Sequence, residues 1–227
     1  MATFPTNDRN GNAANFQVFP FGGAGNIAGS SVIVDPASGA AANIAPNGVA
    51  LNVSGDTTTA TYWYTALALA PVATPTDVVQ IQGSATRTCR IKRIKIGGVA
   101  TAAGNMPVQL IRRSVADSGG GTVLTPVTAG KADINDPAAT AVVSTIGTAN
   151  PGSLGTQVGG ILRNDRVQMS AASTGVAAND VIWDFSTRFD KACVLRGLAD
   201  FICINLNGAA IPAGGVLDLE IEMEETN

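Results

Sequence analysis

Residues 217–224, with the sequence LDLEIEME, decide the fold class of this chain. Their odd-numbered positions are apolar and their even-numbered positions are acidic, which is the period of two that a β-strand gives to its side chains. One face of this strand is therefore expected to be buried, and the other to carry a row of carboxylates. The chain is thus expected to build its core from half-buried strands.

Seven other short runs upstream have β-type composition, and clusters of Gly, Asn, Asp and Pro separate them. The predicted strands are 78–82, 89–96, 108–113, 167–171, 181–185, 192–195, 201–206 and the last run, 216–223. A further strand is expected within 139–146. Many short strands of this kind are typical of sandwiches. We therefore predict an all-β fold, a β-sandwich and most simply a jelly roll.

The composition agrees with this fold class and excludes several kinds of enzyme. Only 14% of the 227 residues are charged, against about 25% in typical proteins, and the Lys and Glu that usually cover exposed helix faces are scarce. The chain has no histidine, which excludes Ser-His-Asp and Cys-His catalytic groups and histidine-ligated metal sites built within it. We predict a non-enzymatic protein without a cofactor or a metal.

The three cysteines, Cys89, Cys193 and Cys203, are odd in number and form no C-x-x-C pair. They therefore define neither a disulfide framework nor a zinc site. We expect buried, reduced thiols that act as small apolar groups. A bridge between Cys193 and Cys203 is an open alternative if their strands are neighbours.

The chain divides by composition into an irregular first part and a regular second part. Residues 1–75 are predicted to form an extended N-terminal arm with an aromatic segment, and residues 76–227 a β-sandwich body with a loop excursion at 114–160. Residues 49–53 alternate and predict one short strand in the arm. No secretory signal or bilayer-spanning run is recognised, so we expect synthesis in the cytoplasm and no membrane partner.

Four of the seven phenylalanines lie within the first 21 residues, among Asn, Gly, Pro and Ala that give neither helix nor strand periodicity. They are Phe4, Phe16, Phe19 and Phe21. Ordering such an arm costs about 1 to 2 kcal/mol per residue, so its rings are expected to be buried against a body or a neighbouring subunit. A loop packed on its own domain is the alternative.

The segment Tyr62, Trp63 and Tyr64 brings three aromatic rings together. As a surface feature it predicts a contact patch for a protein or a sugar, because Tyr and Trp are enriched at binding hot spots. As a core feature it predicts a strand with one or two rings inward.

Half of the 14 positively charged residues lie on two predicted strands and just before the first of them. They are Arg87, Arg90, Lys92, Arg93, Lys95, Arg112 and Arg113. In the first of these strands the alternation slips between Ile91 and Ile94, which predicts a β-bulge or burial on both sides.

Three uses of these basic residues are open. The first is an ion-pair ladder against acids of the last strand, in the same molecule or a neighbour. Those acids are Glu220, Glu222 and Glu224. The second use is a plain solvated face, and the third is nucleic-acid contact. The net charge of −3 and the lack of aromatic residues between the basic ones argue against nucleic acid.

Two motifs resemble ligand-binding loops but lack the context that those loops need. The glycines at 23–29 follow the spacing of a dinucleotide loop, yet β-branched residues and Pro36 stand where its helix must run. The segment 133–137 lacks the Gly and the bidentate Glu of a calcium loop. We predict a glycine linker for the first and an Asx-rich turn for the second.

The chain resembles structural proteins of tailed-phage virions, particularly jelly-roll cement or decoration proteins that sit on the capsid as trimers. The resemblance is organisational and covers the whole chain, so no individual residue's role is carried over. Its carriers are the NDRNGN segment at 7–12 with its Phe-bearing arm, the Ala/Gly/Thr-rich body of low charge, the TCRIKRIKIG run at 88–97 and the alternating acidic last strand.

This resemblance implies a virion protein, made in the host cytoplasm, that binds the outside of a capsid and bridges neighbouring subunits. Its implied partners are the major capsid protein or other virion subunits and further copies of itself, with a homotrimer favoured. A neck, tail or baseplate component is an alternative in the same class. The alternative from another class is a carbohydrate-binding β-sandwich that stacks sugars on Tyr62, Trp63 and Tyr64.

Overall fold

The computed structural model describes residues 59–120, 123–147, 149–171, 179–185 and 192–226, and, within residues 1–58, the strands at 3–7, 13–17, 33–34 and 41–42. Every regular element in these residues is a β-strand, so the predicted all-β class is confirmed. A search of the described residues finds no helix able to span a membrane.

Two compact units make up the chain, Met1–Gly55 and Asp56–Asn227. The strands of the first unit form two antiparallel pairs, β1 with β2 and β3 with β4. Their bounds are β1 Thr3–Asn7, β2 Ala13–Gln17, β3 Ile33–Val34 and β4 Ala41–Ala42.

Phe4 lies opposite Phe16 in the register of β1 and β2. A strand pair therefore forms where the composition indicated neither helix nor strand. The other predicted features of the arm lie outside the described residues, namely Phe19, Phe21, the glycines at 23–29 and the strand at 49–53.

The second unit contains twelve described strands, and each of the eight predicted strands has a counterpart among them. They are β5 Thr59–Leu69, β6 Asp77–Gln82, β7 Thr88–Ala100, β8 Gly104–Arg113, β9 Leu124–Pro126, β10 Ala129–Lys131, β11 Val142–Ile146, β12 Gln157–Ala171, β13 Val181–Asp184, β14 Cys193–Arg196, β15 Phe201–Asn205 and β16 Val216–Thr226. The further strand expected within 139–146 is β11.

These strands form one curled sheet, a half-barrel, in the order β10-β5-β16-β7-β12-β8-β15-β6-β11-β9, with β13 and β14 also paired to β7. The two strands at the ends of this order, β9 and β10, are consecutive in the chain, so the ends of the sheet come close together. Tyr64 Oη donates a hydrogen bond to Ala141 O at 3.1 Å across this approach. The core fills the inside of the curl.

The predicted boundary after residue 75 is wrong, because the two units divide between Gly55 and Asp56. Strand β5 belongs to the second unit, since it pairs with β16 along almost its whole length. The predicted loop excursion at 114–160 contains β9, β10, β11 and the start of β12. Its high content of Gly, Thr and Ala hid β9, β10 and the start of β12, which are fixed by pairing with other strands, whereas β11 is the strand expected within 139–146.

The predicted Asx-rich turn at 133–137 is confirmed. The backbone N of Asn135 donates to Asp133 Oδ1 at 2.9 Å, and the backbone N of Asp136 donates to Asp133 O at 3.1 Å. Both bonds close a local turn, which explains the clustering of Asx residues there.

Candidate interaction surface

Three rows of outward side chains cross the sheet through β5, β16, β7 and the short strands β13 and β14. We call them the ladder face. From β5 outward, the first row is Thr65, Glu220, Lys95 and Ile182, the second is Trp63, Glu222, Arg93 and Asp184, and the third is Thr61, Glu224, Arg90 and Val194. Because opposite residues in a sheet share a face, β16 supplies an acidic column and β7 a basic column.

The predicted ion-pair ladder forms in part within one chain, with two of its three glutamates paired. Lys92 Nζ lies 3.1 Å from Glu224 Oε2, and Arg93 Nη1 lies 4.0 Å from Glu220 Oε1. The Arg90 guanidinium donates to Thr226 Oγ1 at 2.6 Å. Both ion pairs are diagonal to the register, in which Glu224 is opposite Arg90 and Glu220 is opposite Lys95.

The predicted β-bulge is also confirmed, and it lies at Lys92. Glu222 is opposite Arg93 and Met223 is opposite Ile91, so Lys92 is an extra residue in β7. Its carbonyl accepts a hydrogen bond from Phe185 N at 2.9 Å. The bulge lets Ile91 and Ile94 both point into the core.

Lys95 forms its ion pair with an acid outside the ladder. Its Nζ lies 3.1 Å from Asp180 Oδ2, above a cleft of about 250 Å³ at one end of the ladder face. The exposed side chains of Leu67 and Val99 line this cleft. Gly97 forms part of its wall, and a Cβ there would overlap the Asp180 carboxylate.

The fourth glutamate, Glu225, points inward and is buried, and the sequence reasoning missed it. Its carboxylate accepts hydrogen bonds from Thr140 N at 2.9 Å, Thr140 Oγ1 at 2.7 Å and Ala141 N at 2.7 Å. Arg87 Nη1 lies 3.3 Å away and completes an ion pair. A signal was available, because position 225 continues the apolar set of alternate residues from 217 to 223.

The predicted grouping of Arg112 and Arg113 with the other basic residues is wrong, because β12 lies between β7 and β8. Arg112 forms an ion pair with Asp200 and donates to Val194 O at 2.8 Å. Arg113 is buried, so it belongs to no outer face.

The Arg113 guanidinium holds together a buried polar network. It donates to both carboxylate oxygens of Asp77, at 2.6 and 3.0 Å, and to Gly155 O at 2.7 Å. Asp117 lies beside it and accepts a hydrogen bond from Gly155 N at 3.0 Å. The other carboxylate oxygen of Asp117, Oδ2, is buried without a hydrogen-bond partner.

Burial raises the pKa of Asp117 to about 6, although the bond from Gly155 N opposes the shift. Asp77, Asp117 and Cys203 have ligand atoms within 4.8 Å of one another. The Arg113 cation already binds Asp77 bidentately, so the group suits an internal ion pair rather than a second cation. Neither aspartate was singled out from the sequence: the hydrogen-bond partners Arg113 of Asp77 and Gly155 of Asp117 are 36 and 38 positions away, although Arg113 is only four positions from Asp117.

The structure describes all three cysteines, and none of them forms a disulfide. Cys89 and Cys203 are buried, as predicted, and Cys193 is half-buried. The alternative bridge between Cys193 and Cys203 is wrong, since β14 pairs with β7 whereas β15 pairs with β6 and β8. Burial raises the pKa of the Cys89 thiol to about 11, which keeps it protonated at neutral pH.

The aromatic segment in β5 divides between core and surface. Tyr62 and Tyr64 are buried, and Tyr62 Oη donates to Pro137 O at 2.8 Å. Burial raises the pKa of the Tyr64 hydroxyl. Trp63 alone points outward, with 37% of its surface exposed. The core prediction is thus confirmed for two rings, and the three-ring stacking platform for sugars is wrong.

Comparison with known proteins gave no match to a family model, a curated protein or a solved structure.

Proposed function

We propose that this chain is a non-enzymatic structural protein of a phage virion, which binds the outside of the capsid and stabilises it by bridging neighbouring subunits. The observation that carries this proposal is the ladder face. It gathers seven charged side chains of both signs in three neighbouring rows of one sheet face, in a chain of which only 14% of the residues are charged.

Such a face is suited to recognition between proteins. Complementary charges in fixed positions set the register and the choice of partner more than they add affinity. The rows are bordered by the exposed side chains of Trp63 and Ile182, and Trp is enriched among the residues that dominate interface energies. The proposed partners are the major capsid protein or other virion subunits, and the proposed oligomer is a homotrimer.

The finer fold assignment, a β-sandwich of jelly-roll type, belongs to the same proposal. Its support is the way the ends of the curled sheet approach each other. Tyr62 and Tyr64 on β5 reach the segment around Pro137 and Ala141, and Glu225 on β16 binds the same segment. A sandwich packs two sheet faces over one core in this manner.

The test is the presence of the chain on intact virions. We expect it to co-purify with particles through a density gradient in a fixed ratio to the major capsid protein, and to label the outside of the shell with a specific antibody. Its absence from particles, or labelling confined to the neck, tail or baseplate, would contradict the proposal.

The arm provides a second comparison in the same assay. Deletion of residues 2–24 is expected to leave the second unit folded but to weaken attachment to particles, because the arm carries the four phenylalanines proposed as anchors. Attachment equal to that of the full chain would refute the role of the arm. Circular dichroism of both chains checks that the body has remained folded.

A further inference from the structure

We infer that the ladder face is a docking surface for a second copy of this chain, related to the first by a two-fold axis that runs parallel to the strands between β16 and β7. This inference rests on the proposed function and narrows it, since among the proposed virion partners it assigns the ladder face to a second copy of this chain. A two-fold contact is also distinct from the proposed trimer contact.

The geometry of the rows is compatible with this two-fold contact. Strand register places Glu222 on β16 directly beside Arg93 on β7, and the rows above and below repeat this order of acid and base. A rotation of 180° about an axis between the two strands reverses the order of the residues within each row. It leaves each row at the same position along the strand direction. Each acid of one copy then faces the base of the same row in the other copy.

The charged side chains of the ladder face are incompletely paired inside the chain. Among the described residues, no cation lies within ion-pair distance of Glu222. Arg93 reaches Glu220 only at 4.0 Å, and Arg90 donates to the neutral hydroxyl of Thr226. The middle row therefore holds an acid and a base with unused capacity. A second copy would place Arg93 opposite Glu222 and Glu222 opposite Arg93.

Each border of the charged rows carries one exposed large hydrophobic side chain. Trp63 on β5 is 37% exposed and Ile182 on β13 is 51% exposed, and they lie at opposite ends of neighbouring rows. The same rotation brings β5 of one copy over β13 of the other. Trp63 of each copy then lies opposite Asp184 of its neighbour and one row away from Ile182, so that the indole ring covers one border of the charged rows.

These features favour a second copy over another kind of partner. A polyanion such as nucleic acid would be attracted by the β7 column and repelled by the adjacent β16 column, and a purely basic partner would meet the reverse. A surface that carries the same two columns in mirrored order places an opposite charge against the β7 column and against the β16 column. The chain's own face has this property under the two-fold rotation.

The size of the face predicts a weak contact. Four strands about 4.8 Å apart and about 25 Å of strand length give roughly 500 Å² on each copy. The total of about 1,000 Å² is near the lower limit for a specific interface. Association should therefore be concentration-dependent, and it should weaken as salt screens the exposed charges.

The experiment uses two single substitutions in the middle row, Glu222→Arg and Arg93→Glu. In either variant alone, like charges face each other across the two-fold axis. In an equimolar mixture, residue 222 of one variant faces residue 93 of the other with opposite charge at both positions. Sedimentation equilibrium of each variant, of their mixture and of the unaltered chain, at about 20 mM and about 500 mM salt, measures the association.

We expect each variant to associate about tenfold or more weakly than the unaltered chain at low salt, and the mixture to recover the association. The double variant in one chain should also recover it. Arg166→Glu, an exposed reversal on β12, is the matched control and should have no effect. A mixture no stronger than its components, or an equal loss from Arg166→Glu, would overturn the inference.

This assay separates the inference from the proposed function. A chain that attaches to virions but fails the charge-pairing test would keep its proposed function and lose the two-fold contact. A chain that passes the test but is absent from virions would keep the contact and lose the virion role. Circular dichroism and thermal unfolding of each variant check that a loss of association is not a loss of fold.

Discussion

At the scale of single residues, the buried carboxylate of Asp117 should give this protein an unusual dependence of stability on pH. Its folded pKa of about 6 lies above the ordinary value of about 3.9. The folded state therefore binds the proton more tightly than the unfolded state. This carboxyl contributes stability that is fully present below about pH 4 and is lost as the pH rises through about 6.

Asp117→Asn tests this prediction, because Asn keeps the shape and an acceptor for Gly155 N but does not titrate. The groups that face Asp117 are the Asp77 carboxylate, the Arg113 guanidinium and the Cys203 thiol. The quantity compared is the free energy of unfolding of the unaltered chain minus that of the variant at the same pH. We expect this difference to decrease by on the order of 1 kcal/mol between pH 4 and pH 7. Urea denaturation at several pH values measures it, and a flat or increasing difference would contradict the prediction.

The adjacent residues Glu224 and Glu225 have the same chemistry and opposite surroundings. Glu225→Gln places an amide donor among the donors Thr140 N, Ala141 N and Arg87, so we expect a loss of about 3 kcal/mol in the free energy of unfolding. Glu224→Gln is the matched control, because its ion pair with Lys92 is partly exposed and is worth about 0 to 1 kcal/mol. Chemical denaturation measures both, and equal losses would refute the assignment.

At the scale of elements, the bulge in β7 determines which side chains enter the core. Deletion of Lys92 would restore strict alternation from Cys89 to Ile96, so the strand should still fold. It would lose the hydrogen bond from Phe185 N and the ion pair with Glu224, at a cost of about 1 to 2 kcal/mol. Deletion of Lys95 is the control, since it would turn the residues on one side of the gap toward the wrong face.

We therefore expect the chain without Lys92 to unfold cooperatively with a modest loss of stability, and the chain without Lys95 to fail to fold. Circular dichroism and urea denaturation compare the two deletions. Similar stability of both chains would show that the bulge does not set the register. This bulge could be predicted because it leaves a local trace in the sequence, the slip between Ile91 and Ile94.

At the scale of the whole molecule, the closure of the sheet depends on contacts between distant segments. Strand β9 pairs with β11 and the next strand, β10, pairs with β5, so residues 124–131 connect the two ends of the sheet order. The composition of this region predicted a loop excursion. Its strands of three residues are too short to give a periodic signal, and pairing alone defines them.

The sequence by itself determined the all-β class, the eight predicted strands, the acidic side of β16 and the slip between Ile91 and Ile94. Each of these depends on alternation within one strand, which the period of two makes visible locally. The arm's anchoring role and the virion role stay predictions.

Only the tertiary structure decided the partners of the strands and the burial of individual charges. It placed β5 beside β16, moved Arg113 into the interior with Asp77, and turned Glu225 toward Ala141. These outcomes depend on contacts between residues that are far apart in the chain. The side-chain pattern of one strand states which face is buried, but it carries no information about which other segment covers that face.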